Sequence, residues 1–278
     1  MRALLSLIAT GGAAMLLGGC GGGTQPTGQP PATAGATAEA SAPPLPQGSE
    51  VVELDPADFV ARIDNPYWPM NPGDRWFYRE SDVEGAKQRV TVTVTDETKD
   101  ILGIQATVVH DVVTEDGGVI EDTFDWYAQD RWGNVWYLGE DTKEFENGKV
   151  VTTEGSWEAG VDGAHAGVLI PGDPVVGQAY RQEYLEGVAE DAGEILSLDE
   201  HVSVPFGSFT GVLMTKDWTP LEPDLVEHKF YAKGVGPVLA LDVSGGSGRE
   251  ELVEYRPRPK TAAEPSALGR QYPPPQAA

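Results

Sequence analysis

An alternation of apolar and polar side chains with a period of two residues limits the fold of this sequence more than any other feature. Val90, Val92 and Val94 alternate with threonines, a pattern typical of a strand with one buried and one solvated face. Similar patterns predict further strands at 104–112, 119–129, 134–139, 149–153, 179–185, 195–204, 212–218, 226–232, 238–243 and 251–255. Many short strands joined by turns predict an all-β, mainly antiparallel fold whose sheet curls or closes.

Two segments depart from this strand pattern. Asp55 is a favourable N-cap, Pro56 suits the first helical position, and Phe59 and Ile63 would share one face, so one short helix is predicted there. Residues 155–177 are rich in glycine and poor in strand signals, which predicts a long loop.

The N-terminus has the features of a secretory signal. Arg2 precedes an apolar run of mostly small residues, which ends in Leu17-Gly18-Gly19-Cys20. This tetrapeptide resembles the lipobox of bacterial lipoproteins, in which a lipid is joined to the cysteine and a peptidase cuts just before it. The resemblance implies a signal peptide at 1–19 and acyl chains such as palmitate on Cys20. It also implies a domain in the cell envelope, outside the cytoplasm, anchored to a membrane by that lipid.

Composition divides the remaining chain into three parts. Residues 20–49 consist mainly of small and polar residues with several prolines, which predicts a tether. Residues 50–256 contain the predicted strands and form a single β-rich domain. Residues 257–278 are rich in proline and predict a disordered tail.

The charge of the chain excludes some classes of partner. The sequence has 44 acidic and 19 basic side chains, and Arg2 lies in the predicted signal, so the mature chain carries 18 − 44 = −26 formal charges. A surface this negative repels nucleic acid, which is therefore not a predicted partner. Because the chain has one cysteine, no intrachain disulfide can form.

Two motifs resemble TapB-like domains, a β-rich bacterial group of mostly unknown function. The segment from Val204 to Phe209, followed by Val212, has a V-P-x-G-x-F-x-x-V form, and the segment from Phe230 to Val238 resembles Y-A-x-G-V-G-x-V. The resemblance covers about residues 60–255. It implies a fold like that of lipoprotein carriers, in which a curved sheet or half-barrel wraps a helix or an apolar ligand, without implying carrier activity.

Aromatic side chains are the first candidates for a binding site. They cluster in one stretch of sequence, which contains Trp126, Tyr127, Trp132, Trp136, Tyr137 and Trp157. Because such rings stack on sugars and apolar ligands, Trp132, Trp157 and Tyr137 are the predicted ligand contacts. Trp126 shares a strand face with Phe124, which favours packing in the core.

Acidic residues are the second candidates, because glycoside hydrolysis needs two carboxyl groups roughly 5–9.5 Å apart. Glu121 and Asp125 share a strand face but are separated by about 13 Å, so they could act together only if a neighbouring strand intervened. Further acids follow at Asp130, Glu140, Asp141 and Glu144. The segment from Asp130 to Asn134 offers oxygen ligands at a turn, but it lacks the register of a calcium loop, which favours a hairpin turn.

No zinc, phosphate-loop, dinucleotide or nucleophile motif occurs in the sequence, so it predicts no catalytic residue, no metal site and no cofactor. The favoured hypothesis is a non-enzymatic binding or envelope-associated domain with an apolar or glycan ligand. Two alternatives stay open, namely an envelope polysaccharide hydrolase that uses carboxylates in 121–144 and a purely structural envelope protein. The sequence does not predict an oligomeric state.

Replacing Cys20 with serine is expected to move the protein from the membrane fraction to the soluble fraction, because a hydroxyl group cannot form the lipid thioether. Fractionation and intact-mass measurement test this, with Thr24→Ser as the control in the same segment. A Cys20→Ser protein that sediments with membranes as completely as the wild type would contradict the lipobox prediction.

Overall fold

The computed structural model of the protein describes residues 42–83 and 87–258, together with the backbone of 270–271. The predicted signal peptide, the predicted lipidation site at Cys20 and most of the predicted tether and tail lie outside the described residues. Across the described ranges, no helix is long and apolar enough to cross a membrane.

Strands make up almost all of the regular structure, which confirms the prediction of an all-β fold. Every strand pairing is antiparallel except that of β17 with β3. The strands are β1 (Phe59–Val60), β2 (Arg75–Ser81), β3 (Lys87–Ile101), β4 (Ile104–Glu115), β5 (Gly118–Asp130), β6 (Val135–Glu146), β7 (Lys149–Thr152), β8 (Trp157–Glu158), β9 (His165–Ile170), β10 (Ala179–Arg181), β11 (Glu183–Tyr184), β12 (Ala192–Val204), β13 (Gly207–Trp218), β14 (Val226–Ala232), β15 (Gly236–Ser244), β16 (Arg249–Arg256) and β17 (Arg270–Gln271).

The antiparallel sheet curves until it closes into a barrel-like ring. Strands β2 to β6 pair in chain order, strands β12 to β16 do the same, and β16 pairs with β2. On the opposite side β6 pairs with β9, β9 pairs with β11, and β10 pairs with β12. Because Gln182 alone separates β10 from β11, this residue is the joint at which the ring is completed.

Closure of the ring brings two backbones together at Gly167 of β9. A Cβ atom at this position would lie 2.3 Å from the carbonyl carbon and oxygen of Gln182. Gly167 also pairs with Tyr137 of β6, so β9 is held between β6 and the joint. Glycine is therefore required at position 167, because the backbones of β9 and of the joint approach each other so closely.

The predicted helix is wrong in its extent. Asp55 does cap a helical turn, since its side chain accepts a hydrogen bond of 2.9 Å from the backbone N–H of Ala57. The turn is a 3-10 helix limited to Pro56–Asp58, and Phe59 is already extended. Pairing of β1 with β5 outweighs the helical pattern at this position.

The predicted loop at 155–177 is also wrong, because it contains β8 and β9. Val168, Leu169 and Ile170 follow one another on β9, and all three are buried. Apolar residues that follow one another without alternation are typical of a strand buried on both faces.

One end of the ring is closed by the proline-rich segment 61–74, here called the plug. Trp68 lies inside, with its ring centroid 5.7 Å from that of Tyr127 and 5.9 Å from that of Tyr231. The buried Asn65 fixes the segment to the turn after β5, since its side-chain amide donates to the carbonyl of Gly133 at 2.8 Å. Aromatic packing therefore fills this end of the interior.

Residues 42–50, at the border between the predicted tether and the domain, lie against the ring beside its joint. The Arg181 guanidinium donates hydrogen bonds to the carbonyls of Gly48 and Glu50, at 2.8 and 2.7 Å, and to the carbonyl of Ala166 on β9 at 2.7 Å. The Arg181 backbone N–H donates to the carbonyl of Pro46 at 2.8 Å. One buried arginine therefore connects the N-terminal segment to β9 and β10.

Replacing Gly167 with alanine is expected to lower the free energy of unfolding by about 3 kcal/mol or more, because the new methyl group meets backbone atoms that cannot rotate away. Chemical denaturation measures the change. Gly207→Ala is a matched control, because its Cβ would lie 3.9 Å from the nearest atom, the Cζ of Phe209. Equal stabilities for the two variants would refute the proposed role of Gly167 in closing the ring.

Candidate functional site

The interior changes in character along its length. Near the plug it is aromatic, whereas toward the turns at 116–117 and 147–148 the inward-facing side chains are acidic. We call five of these acids the carboxylate cluster; they are Glu80 on β2, Asp111 on β4, Glu121 and Asp125 on β5, and Glu250 on β16. All of them are buried except Glu80, which is half-buried.

Strand register brings the members of the carboxylate cluster together. Glu80 and Glu250 are direct partners on β2 and β16. Asp111 is the partner of Thr123, which lies between Glu121 and Asp125 on the inner face of β5. Because the wall is curved, side chains from these four strands point into one shared space.

Two members of the cluster have hydrogen-bond donors. The Tyr137 hydroxyl donates to Asp125 Oδ1 at 2.7 Å, and the Thr123 hydroxyl donates to Glu121 Oε1 at 3.2 Å. The Thr123 hydroxyl also lies 2.7 Å from that of Thr142 on β6. This side of the cluster is therefore fixed by a short polar network, in which Oδ2 of Asp125 has no partner among the described residues.

The opposite side of the cluster has acceptors without donors. Among the described residues, no hydrogen-bond partner reaches either carboxylate oxygen of Asp111 or Glu250, Oε2 of Glu80, or Oε1 of the adjacent Gln88. Asp111 is 2% exposed, and Glu250 and Gln88 are each 5% exposed. An unpaired acceptor buried in a protein is destabilising by roughly 1–3 kcal/mol, and more if it is charged. Six such atoms in one place require an explanation.

Burial and mutual repulsion raise the pKa values of these carboxyl groups. Burial raises the pKa of Glu80, Glu121 and Asp125 to about 7, and the hydrogen bond from Tyr137 opposes part of this rise at Asp125. The pKa of Asp111 and that of Glu250 lie well above the usual range, because of burial first and neighbouring carboxylates second. At neutral pH the carboxylate cluster is therefore partly protonated.

Lys229 on β14 is a buried cation whose charge is paired with acids outside the carboxylate cluster. Its ammonium lies 3.0 Å from Asp217 Oδ2 and 3.7 Å from Glu227 Oε2. Burial lowers the pKa of Lys229, but Asp217 and Glu227 outweigh that effect, and the pKa lies well above its usual value. Lys229 opposes the rise of the Glu250 pKa, but burial and neighbouring carboxylates outweigh it there.

A cavity of about 300 Å³ lies beside the joint of the ring. The N-terminal segment at Gln47 and Gly48 forms one wall, and Glu183 and Asp191 contribute acidic side chains to another. Glu183 accepts a hydrogen bond of 2.9 Å from the indole N–H of Trp157. Burial raises the pKa of Asp191 to about 7, so this cavity repeats the acidic character of the interior.

The aromatic residues predicted to contact a ligand do not form one surface. Tyr137 is 1% and Trp157 is 4% exposed, and their rings meet edge to face with centroids 5.3 Å apart. Trp132 lies in the turn between β5 and β6, half-buried, with the Arg131 guanidinium 4.5 Å from its ring centroid. Tyr137 and Trp157 therefore belong to the packed interior, and contact of any of the three with a ligand stays a prediction.

The Asp130 turn has no carboxylate oxygen free for a calcium ion. Asp130 Oδ1 accepts from the backbone N–H groups of Trp132 and Asn134, both at 2.9 Å. Its Oδ2 accepts from the Asn134 amide at 2.7 Å and from the Trp136 indole at 2.8 Å. Over the described ranges, no group of three or more His, Cys, Asp or Glu residues could hold a metal ion.

The acids that the sequence offers for hydrolysis lie partly inside the sheet and partly at its surface. Glu121, Asp125 and Glu140 are buried, at 3%, 1% and 3% exposure, whereas Asp141 pairs with Lys143 near the surface. A polysaccharide chain cannot reach carboxyl groups enclosed to this degree.

The sequence patterns do not predict Asp111, Glu80 or Glu250 as site residues. The one available signal is at Asp111, an acid that lies between Val109 and Val113 on a buried face.

Comparisons with known proteins leave the family open. No protein-family model matches the sequence, and no curated protein matches it, so the resemblance to TapB-like domains is not confirmed. Among solved structures, the chain is similar to the crystal structure of a candidate lipoprotein from Parabacteroides distasonis. The two share 12% identity and a TM-score of 0.40, over 69% of this chain and 99% of the other. A similarity this weak does not establish a family or a function for this chain.

The ligand-free domain is expected to lose stability as the pH rises from about 4 to about 8. Unfolded carboxyl groups titrate near pH 4, whereas those of Glu80, Glu121 and Asp125 titrate at about 7 in the folded state. Between these values the folded protein binds more protons, so deprotonation favours unfolding. Each shifted pKa unit corresponds to about 1.4 kcal/mol. Thermal unfolding at pH 5.5 and pH 8 measures the difference.

Asp111→Asn is expected to reduce this pH dependence, because it removes one buried titrating group without changing the shape of the side chain. Asp199→Asn is the control, because Asp199 is exposed on β12. A stability that is independent of pH between 5 and 8 in the wild type would show that the interior carboxyl groups do not titrate in this range.

Proposed function

We propose that this protein is a lipid-anchored binding protein of the cell envelope, which holds a ligand inside its closed sheet and catalyses no reaction. The lipobox-like sequence ending at Cys20 supports the anchor and the extracytoplasmic location. The attachment of residues 46–50 to Arg181 supports an arrangement in which the anchored segment joins the ring at its joint.

One observation carries the binding role, namely the set of buried oxygen atoms without donors around Asp111 and Glu250. A domain that needed only stability would fill these positions with apolar side chains, because buried polar groups without partners are destabilising. Groups that are unfavourable in the empty protein become favourable when a complementary ligand satisfies them. The interior is therefore best explained as a binding site.

A polysaccharide hydrolase is a weaker explanation of the same residues. Such an enzyme needs an open cleft along which a chain can lie on both sides of the scissile bond. Glu121 and Asp125 are instead enclosed, and Asp125 is held by the Tyr137 hydroxyl. A purely structural role does not explain why β2, β4, β5 and β16 all present acids inward.

Native mass spectrometry of the protein released from its own membranes is expected to reveal a bound small molecule that is lost on denaturation. A double variant, Asp111→Asn with Glu250→Gln, is expected to carry less of it, because the variant keeps the volume of the interior but loses two carboxyl groups. Asp199→Asn is again the control. A wild-type protein without bound mass, and without stabilisation by any compound of a broad metabolite panel, would exclude the binding role.

A further inference from the structure

We propose that the ligand of the carboxylate cluster is a small organic cation that carries more than one protonated amine, such as an aliphatic polyamine. The inference rests on the proposed function, since it assigns a chemical class to the ligand of the same interior. It follows from the hydrogen-bonding groups, the charges and the spacing of the side chains around that space.

The unpaired side-chain atoms of the carboxylate cluster and of the adjacent Gln88 are all acceptors. They are oxygens of Glu80, Gln88, Asp111, Asp125 and Glu250. Gln88 is the direct partner of Glu80 on β3, and its unpaired carbonyl oxygen adds a neutral acceptor to the acidic ones. An ammonium group has three N–H donors and no acceptor, so it complements such a set, whereas an anion or an ether would not.

The charges point to the same class of ligand. Five carboxyl groups face one space, and the buried Lys229, which acts on Glu250, is itself paired with Asp217 and Glu227. Repulsion among Asp111, Glu121 and Asp125 is relieved if a cation enters. Charge-assisted hydrogen bonds from ammonium to carboxylate are also roughly twice as strong as neutral ones.

The spacing of the carboxyl groups favours an extended organic cation over a metal ion. Among the described residues, no three acids are close enough to hold a metal. Glu121 and Asp125 are four residues apart on one strand, which places their Cα atoms about 13 Å apart. Separated ammonium groups joined by methylenes can meet acids distributed in this way.

An apolar strip on the same inner face accommodates the methylenes. Val90 and Val92 of β3 are buried at 1% and 4% exposure. Val90 pairs with Tyr78 of β2, and Val92 pairs with Asp111 of β4, so both valines lie between the two acidic strands. A hydrocarbon chain that crosses β3 would therefore contact valine side chains while its ends reach carboxylates.

Isothermal titration calorimetry with spermidine tests the proposal on the full mature protein in detergent. Sebacate, as an anion of similar length, and calcium chloride are the comparison titrants. Spermidine is expected to bind, whereas sebacate and calcium are not. The single variants Asp111→Asn and Glu250→Gln are each expected to weaken spermidine binding at least tenfold, and Asp199→Asn is expected to leave it unchanged.

Thermal unfolding and circular dichroism of each variant establish that the sheet is intact, and the two single variants provide independent tests if one of them does not fold. Spermidine that binds the wild type and both folded cluster variants equally would overturn the proposal, as would tighter binding of calcium than of spermidine. A neutral or anionic molecule in native mass spectra would refute the assignment of a cationic ligand while leaving the binding role intact. Absence of any bound mass, together with no response to spermidine, would refute both the cationic ligand and the binding role.

Discussion

Closing an antiparallel sheet into a ring forces every second residue of each strand into one enclosed space, and the rest of this structure follows from that constraint. Near the plug the space is filled by aromatic rings around Trp68, which supply the apolar burial that a ring of this kind needs. Farther along the same strands, the inward positions carry carboxyl groups instead. The enclosure that stabilises the first region raises the pKa values in the second.

Much of the fold could be predicted from the sequence, because alternation and turn residues are local signals. The strand predicted at 226–232 matches β14 (Val226–Ala232), and the N-cap at Asp55 is present. The missed strand β9 has consecutive apolar residues rather than alternating ones, and glycines flank it, so its pattern resembled a loop. The prediction of a helix beyond Asp58 was wrong because β1 pairs with β5 there. That pairing is a tertiary contact, which no local sequence pattern contains.

The candidate site was far less predictable than the fold. Strict alternation from Ile104 would place His110 and Val112 on the buried face of β4, but Val108 and Val109 are both buried and the alternation changes phase between them. This change turns Asp111 inward and leaves His110 stacked on Phe124, with ring centroids 4.2 Å apart. Irregular register between β3 and β4 accompanies the change.

Long-range register was the other missing information. Glu80 and Glu250 become partners only when the last long strand of the ring returns to the first, and no spacing in the sequence reports that pairing. Aromatic rings suit ligands, yet Tyr137 and Trp157 support the acids by donating hydrogen bonds to Asp125 and Glu183. Aromatic and acidic residues that are separate motifs in the sequence therefore form one network in the structure.

The attachment through Arg181 has a mechanical consequence. Tension on the chain from its N-terminal side would reach β10 through the hydrogen bonds from Arg181 to the carbonyls of Pro46, Gly48 and Glu50, and through that from the Gln47 amide to the carbonyl of Ala179. Arg181 ends β10, a strand of three residues, and β11 beyond the joint has only two. Force would therefore be applied where the strands of the ring share the fewest hydrogen bonds. The strands would separate first at the joint, while the long hairpins on the far side remained intact.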